Sequence, residues 1–166
     1  VRAGCLAALI ALLPVQAVAL SCRPHSVEAA FLEAQTQTSR FVVVQGRLDF
    51  DTAQSPAKKR SKLGKTGKVP DRQTVTLPAR LSGKSLSAAG FETPYSKPVT
   101  LVLQCLASWC ASAQPGEQVL AFVKLTNSGG VVTSSPCGSY LFRNPTRKTL
   151  RAAQRCMAGQ GCTPSR

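Results

Sequence analysis

At 166 residues the chain has the length of one domain. Its 21 lysines and arginines against 7 acidic residues leave a formal net charge of +14, which implies anionic neighbours: phosphate, sulfate, lipid head groups or acidic proteins. Aromatics are only 5% of a chain that is 43% hydrophobic, so a core must be mostly Val, Leu and Ala, and the single histidine, His25, excludes a multi-histidine metal centre within one chain.

The N-terminal residues read as a targeting segment. Arg2 supplies a positive charge, residues 5–15 are apolar up to Pro14, and Ala17-Val18-Ala19 is a small-residue cleavage signal. The apolar run is short for a membrane span. Residues 1–19 are therefore expected to be a signal peptide and 20–166 a single exported domain, periplasmic or extracellular. Ala19-Leu20-Ser21-Cys22 also lies near a bacterial lipoprotein box, which would make Cys22 a lipid-bearing terminus. That box normally has a larger aliphatic residue where Ala19 stands, so Ala17-Val18-Ala19 fits ordinary cleavage better. Cleavage after Ala19 removes Cys5 and leaves Cys22, Cys105, Cys110, Cys137, Cys156 and Cys162. An even count in an exported chain implies disulfides, with 15 connectivities open to six cysteines.

Ser26 caps a predicted helix in which Val27, Ala30, Phe31 and Ala34 share one face. Residues 40–50 (RFVVVQGRLDF) form the best strand in the chain, with Gly46 inviting a bulge. Residues 51–72 are different in kind. Lys58, Lys59, Arg60, Lys62, Lys65, Lys68 and Arg72 crowd a stretch with Gly64, Gly67 and Pro70 and almost nothing apolar, which predicts a loop. That loop is either a solvated insertion or a polyanion-binding arm. It interleaves no aromatic residue, so base stacking is not expected, and export argues against nucleic acid as a ligand.

Residues 73–81 alternate as a half-buried strand, in which Pro78 demands an edge or a bulge. Residues 82–98, rich in Gly, Ser and Pro, read as a connecting loop whose Phe91 and Tyr95 plug one end of the core. Residues 97–138 then read as three strands, at 99–103, 118–125 and 131–133. Pro115-Gly116 opens the second, and residues 127–130 (NSGG) turn it into the third. Cys105, Cys110 and Cys137 lie at the strand ends. Pro145-Thr146 opens a last helix over 147–157, with Leu150, Ala153 and Met157 inward and Arg147, Lys148, Arg151 and Arg155 on a solvated face. A local bridge between Cys156 and Cys162 would clip the C-terminal turn.

Enzymatic signals are absent from this pattern. There is no Gly-x-Ser-x-Gly, no His-Glu-x-x-His and no phosphate-cradling loop. His25, beside Pro24, reads as a surface residue. Asp49 and Asp51 read as partners for nearby cations. Cys105 and Cys110 are separated by four residues rather than the two of a redox motif, and Trp109 reads as core covering them.

Several short motifs resemble the netrin-like or tissue-inhibitor-of-metalloproteinases superfamily. Cys22-Arg-Pro24 followed by Glu28-Ala-Ala-Phe31 resembles its opening Cys-x-Pro and helix. Phe41-Val-Val-Val-Gln-Gly46 resembles its first strand, and Cys110, Pro115-Gly116 and Val119-Leu-Ala-Phe-Val123 resemble its Cys, Gly and fourth-strand pattern. Cys137 and the helix after it resemble the closing segment. The resemblance implies a mainly β, disulfide-linked, five-stranded OB-like barrel with flanking helices, and carried over it pairs Cys22 with Cys137. Cys110 then lacks its usual partner, because Leu20 stands where the family has its first cysteine. Cys105 is the substitute, leaving Cys156 for Cys162. The family's zinc-chelating N-terminal cysteine is missing too, so metalloprotease inhibition would rest on the free amine alone.

The expectation is a non-enzymatic exported binding or scaffold domain without cofactor or metal, touching an anionic surface or an acidic protein through 51–72. It would meet a membrane only peripherally or through a lipid on Cys22. The alternatives are a protease inhibitor and a lipoprotein subunit of an envelope assembly.

Overall fold

The computed structural model describes Cys22 and residues 25–51, 72–106, 109–138 and 140–164. The segment 1–19 and the cations from Lys58 to Lys68 lie outside these residues.

Helix α1 (Val27–Thr36) starts where the sequence places its cap, with Ser26 Oγ accepting from the Ala29 amide at 3.2 Å. Strand β1 (Phe41–Phe50) follows. Next comes one long hairpin, β2 (Arg72–Ser87) and β3 (Gly90–Leu106), paired from Arg72↔Leu106 to Ser87↔Gly90. Residues 82–98 are thus strand, not the loop expected from their composition. The reason is positional. Beyond the five rows that β3 shares with β6 (Gly129–Ser134), from Val99↔Gly130 to Leu103↔Ser134, β3 has β2 on one side and no described strand on the other over 90–98. Pro94 and Pro98 therefore fall on a free edge, where a missing N–H breaks no ladder. Pro78 lies just past Ala79, the last β2 residue paired with β1, and keeps its register with Thr100; it is an edge residue, and the hairpin's irregularity sits instead at Ser85/Leu86.

Strand β4 (Trp109–Cys110) pairs with the end of β3, β5 (Glu117–Thr126) turns tightly into β6, and β7 (Leu141–Arg143) lies along β5. The decisive pairings are two. β3 runs parallel to β6, and β1 pairs with β5 over eight rows from Phe41↔Lys124 to Leu48↔Glu117. The order β1-β2-β3-β6-β5 therefore returns to β1 as a closed ring of five strands. Helix α2 (Arg147–Met157), capped by Thr146, ends the ordered elements.

Gly46 carries no bulge, because both of its pairings run through it in unbroken register. It serves close approach. Gly46 faces Gly83 across the pair, and a Cβ on Gly46 would lie 2.2 Å from the Ser82 carbonyl oxygen. Neither strand tolerates a side chain where they press together.

Alternation along β1 and β5 divides the apolar residues between two cores. Val44, Leu48, Val119, Ala121 and Val123 fill the ring with Leu77, Leu81, Leu101, Leu103 and Val132. Val43, Leu120 and Phe122 face outward and are covered by Val27, Ala30 and Phe31 of α1 and Ala152 and Ala153 of α2. Both faces of β5 are buried, which is why Val119-Leu-Ala-Phe-Val123 is an unbroken apolar run. Of the expected plug, Tyr95 belongs to the ring interior, whereas Phe91 packs under the helices. In α2, Leu150 and Met157 are half-buried and Ala152, Ala153 and Cys156 are buried.

Candidate functional site

Three disulfides join Cys22 to Cys137, Cys105 to Cys110 and Cys156 to Cys162, the same pairs that the resemblance implies. The first spans 115 residues and ties the segment before α1 to the loop after β6. A Cys22 sulfur bonded to Cys137 has no valence left for a lipid thioether, so this bridge and lipidation at Cys22 exclude each other. The second joins paired residues of β3 and β4 and fixes that short strand to the hairpin.

That bridge sets the geometry of the most distinctive surface. Leu106 pairs with Arg72 on one side and with Trp109 on the other, so Arg72, Leu106 and Trp109 form one row across three strands. Directly paired residues project from the same face of a sheet. Arg72 is exposed, Leu106 is half-buried and Trp109 is 55% exposed. Trp109 is therefore surface rather than core, contrary to the sequence reading. The two-residue strand β4 lies at a sheet margin, where no described element covers the indole ring. The neighbouring row, Gln73, Cys105 and Cys110, carries the disulfide.

Arg72 also begins a line of cations. On β2 the buried residues are Val75, Leu77 and Leu81 and, beyond the irregularity at Ser85/Leu86, Leu86; before that irregularity the alternate positions face outward. Arg80 and Lys84 lie on that outer face with Arg72, and both are exposed. Asp49 stands opposite Arg80 in the β1–β2 ladder but accepts from Arg47 Nε at 3.2 Å with each oxygen, neutralising its strand neighbour. Of the seven cations singled out in 51–72, Arg72 is the one the structure describes.

A second cationic place lies between α2 and the tip of the long hairpin. Arg147, Arg151 and Gln154 face Ala89, Gly90, Phe91 and Glu92 across a groove of about 420 Å³. Arg155, on the same helix, points instead to Glu28 of α1 at 3.8 Å. Arg147 and Lys148 stand in the first turn of α2 with no acidic residue beside them, the end of a helix that favours anions over cations.

The remaining polar clusters are structural. Glu117, nearly buried, accepts from Arg143 Nε at 2.7 Å and from the Gln114 amide at 2.8 Å, and Arg143 also donates to Ser112 Oγ at 2.9 Å. This clamp holds the loop before β5 against β7. His25, its side chain 17% exposed, is not a surface residue: it stacks on Phe142, and its Nε2 lies 3.5 Å from the Glu33 carboxylate without a hydrogen bond to it. Burial pushes the Tyr95 phenol up. The Tyr140 phenol is pushed up by burial and by the Glu33 charge, opposed by a hydrogen bond from Gln37. No group of three or more His, Cys, Asp or Glu among the described residues could hold a metal ion, and no described helix is long and apolar enough to cross a membrane. Compared with protein-family models, with curated proteins and with solved structures, the chain matches none.

Proposed function

We propose that the protein is an exported, non-enzymatic binding domain built on an OB-like barrel of the netrin-like kind, and that it engages anionic surfaces through residues 51–72. Three features support the architecture: a five-stranded ring ordered β1-β2-β3-β6-β5, a parallel β3–β6 pair, and the bridge from Cys22 to Cys137. In OB-folds the loop between the first two strands is a common ligand contact, and 51–72 joins β1 to β2 here. Several disulfides are typical of exported proteins.

The observation that carries the functional reading is the outward line of Arg72, Arg80 and Lys84 on β2. It continues the charge of Lys58, Lys59, Arg60, Lys62, Lys65 and Lys68 onto a rigid strand. Attraction between exposed charges is screened over about 8 Å at physiological salt and about 3 Å at 1 M. Binding to heparin and to anionic vesicles should therefore be measurable at low salt and fall steeply as salt rises. Replacing Lys58, Lys59, Arg60 and Lys62 together by Gln should weaken vesicle binding by about a thousandfold, at about 1 kcal/mol per charge, and should weaken heparin binding in the same direction. Retention on neither surface at low salt would sink the reading.

A further inference from the structure

We infer that the surface this domain meets is a lipid bilayer and that Trp109 is its interfacial anchor, with Arg72 beside it for a lipid phosphate. The inference rests on the anionic-surface reading and narrows it. At 55% exposure Trp109 is well ahead of Leu32 at 38% and Leu125 at 37%, the other exposed large hydrophobics among the described residues. It is also the chain's only tryptophan. Leaving an indole in water forgoes about 25 cal/mol for each Å² that could be buried, and this ring is held out by construction. Cys105–Cys110 fixes β4 to β3, and the Ala111 amide donates to the Gln104 carbonyl at 2.9 Å immediately after it. A backbone already fixed loses little freedom on binding, so more of the ring's burial appears as affinity.

The row's chemistry selects the partner. An indole has an apolar body and one N–H donor, which suits the boundary between head groups and acyl chains. Leu106 stands between Trp109 and Arg72. An aliphatic side chain there adds apolar area toward hydrocarbon and offers nothing to a sugar hydroxyl. Arg72 presents a guanidinium at the same margin, where an anionic leaflet concentrates phosphate and each basic residue contributes about 1 kcal/mol of attraction. The next residues on that face, Thr74 and Gln104, are exposed and paired with each other, at the level where head groups and water would lie. A sulfated polysaccharide can be held by the cations of this region alone, so the surroundings of the indole tell the two partners apart.

The single tryptophan makes the test direct. The oxidised, exported chain is titrated with vesicles of phosphatidylcholine plus phosphatidylglycerol, with phosphatidylcholine alone, and with heparin, while tryptophan emission is followed. Mixed vesicles should shift the emission to the blue, and brominated phosphatidylcholine should quench it; heparin should bind without either effect. Trp109→Ala, its fold checked by thermal melting, should lose about tenfold in sedimentation with mixed vesicles and keep its heparin affinity. Trp109→Phe should recover part of the loss. Vesicle binding with unchanged emission, or an unchanged vesicle affinity in Trp109→Ala, would overturn the anchor and leave the anionic-surface reading standing. An equal blue shift with heparin would overturn the bilayer in favour of sugar stacking. Binding to none of the three would sink the anionic-surface reading itself.

Discussion

At the scale of single residues, the tightest constraint is the pair Gly46 and Gly83. A Cβ on Gly83 would lie 2.1 Å from the Gln45 carbonyl oxygen, the mirror of the contact at Gly46. The obstacle in both cases is backbone, which cannot swing aside as a side chain can. Gly46→Ala should cost roughly 3 kcal/mol or prevent the ring from closing, read by chemical denaturation; a loss no larger than that of an exposed substitution would show that β1 and β2 do not press together there. Tyr95 carries the clearest pH dependence. Its phenol is raised above the ordinary value of 10.0 by burial, so the folded state holds that proton more tightly than the unfolded chain. Its contribution is intact below about pH 10 and is lost as pH rises through the raised folded value. Tyr95→Phe should flatten the alkaline fall in Tm, after allowance for its own effect near neutral pH. An unchanged slope would place the alkaline loss elsewhere.

At the scale of elements, the long hairpin decides most of what the surface can do. Its tip reaches α2 to form the groove at Arg147 and Arg151, and its open end holds Arg72, Leu106 and Trp109. The Cys105–Cys110 bridge closes a loop of few residues, so loop-closure entropy assigns it only about 2 kcal/mol of global stability. Its larger role is local, in holding β4 against β3. Cys105→Ser with Cys110→Ser should therefore lower stability by about 2 kcal/mol and raise hydrogen exchange at residues 109–111 much more than in β5. A uniform rise across the sheet would show that the bridge serves the whole fold instead. Helix α2 sits within the bounds that its cap and periodicity predict, Arg147–Met157. The hairpin does not, because its prolines and small residues are turn formers in isolation: Ser82, Gly83 and Ser85 become strand residues between β1 and β3, and Pro94 and Pro98 where β3 has no second described neighbour.

At the scale of the molecule, two cores share the two faces of β5, and one bridge spans most of the described chain. Loop-closure entropy puts Cys22–Cys137, with its separation of 115, at about 4–5 kcal/mol. Cys22→Ser with Cys137→Ser should thus cost about twice the loss at Cys105 and Cys110, and a smaller loss would mean that α1 docks without the tie. What the sequence alone determined is local or additive. Charge, the cysteine count, the cap at Ser26, the strand 41–50, the hairpin turn at 127–130 and the last helix follow from composition and from patterns a few residues long. What only the tertiary structure decided is non-local. Residues 82–98 are strand because β1 and β3 flank 82–85 and β2 pairs along 90–98. Gly46 is a crossing point rather than a bulge because Gly83 meets it from 37 positions away. His25 is mostly buried because Phe142 comes back to cover it, and Trp109 is exposed because no described element packs over β4. Burial depends on which distant segments return to the same place, and a local pattern carries no record of that.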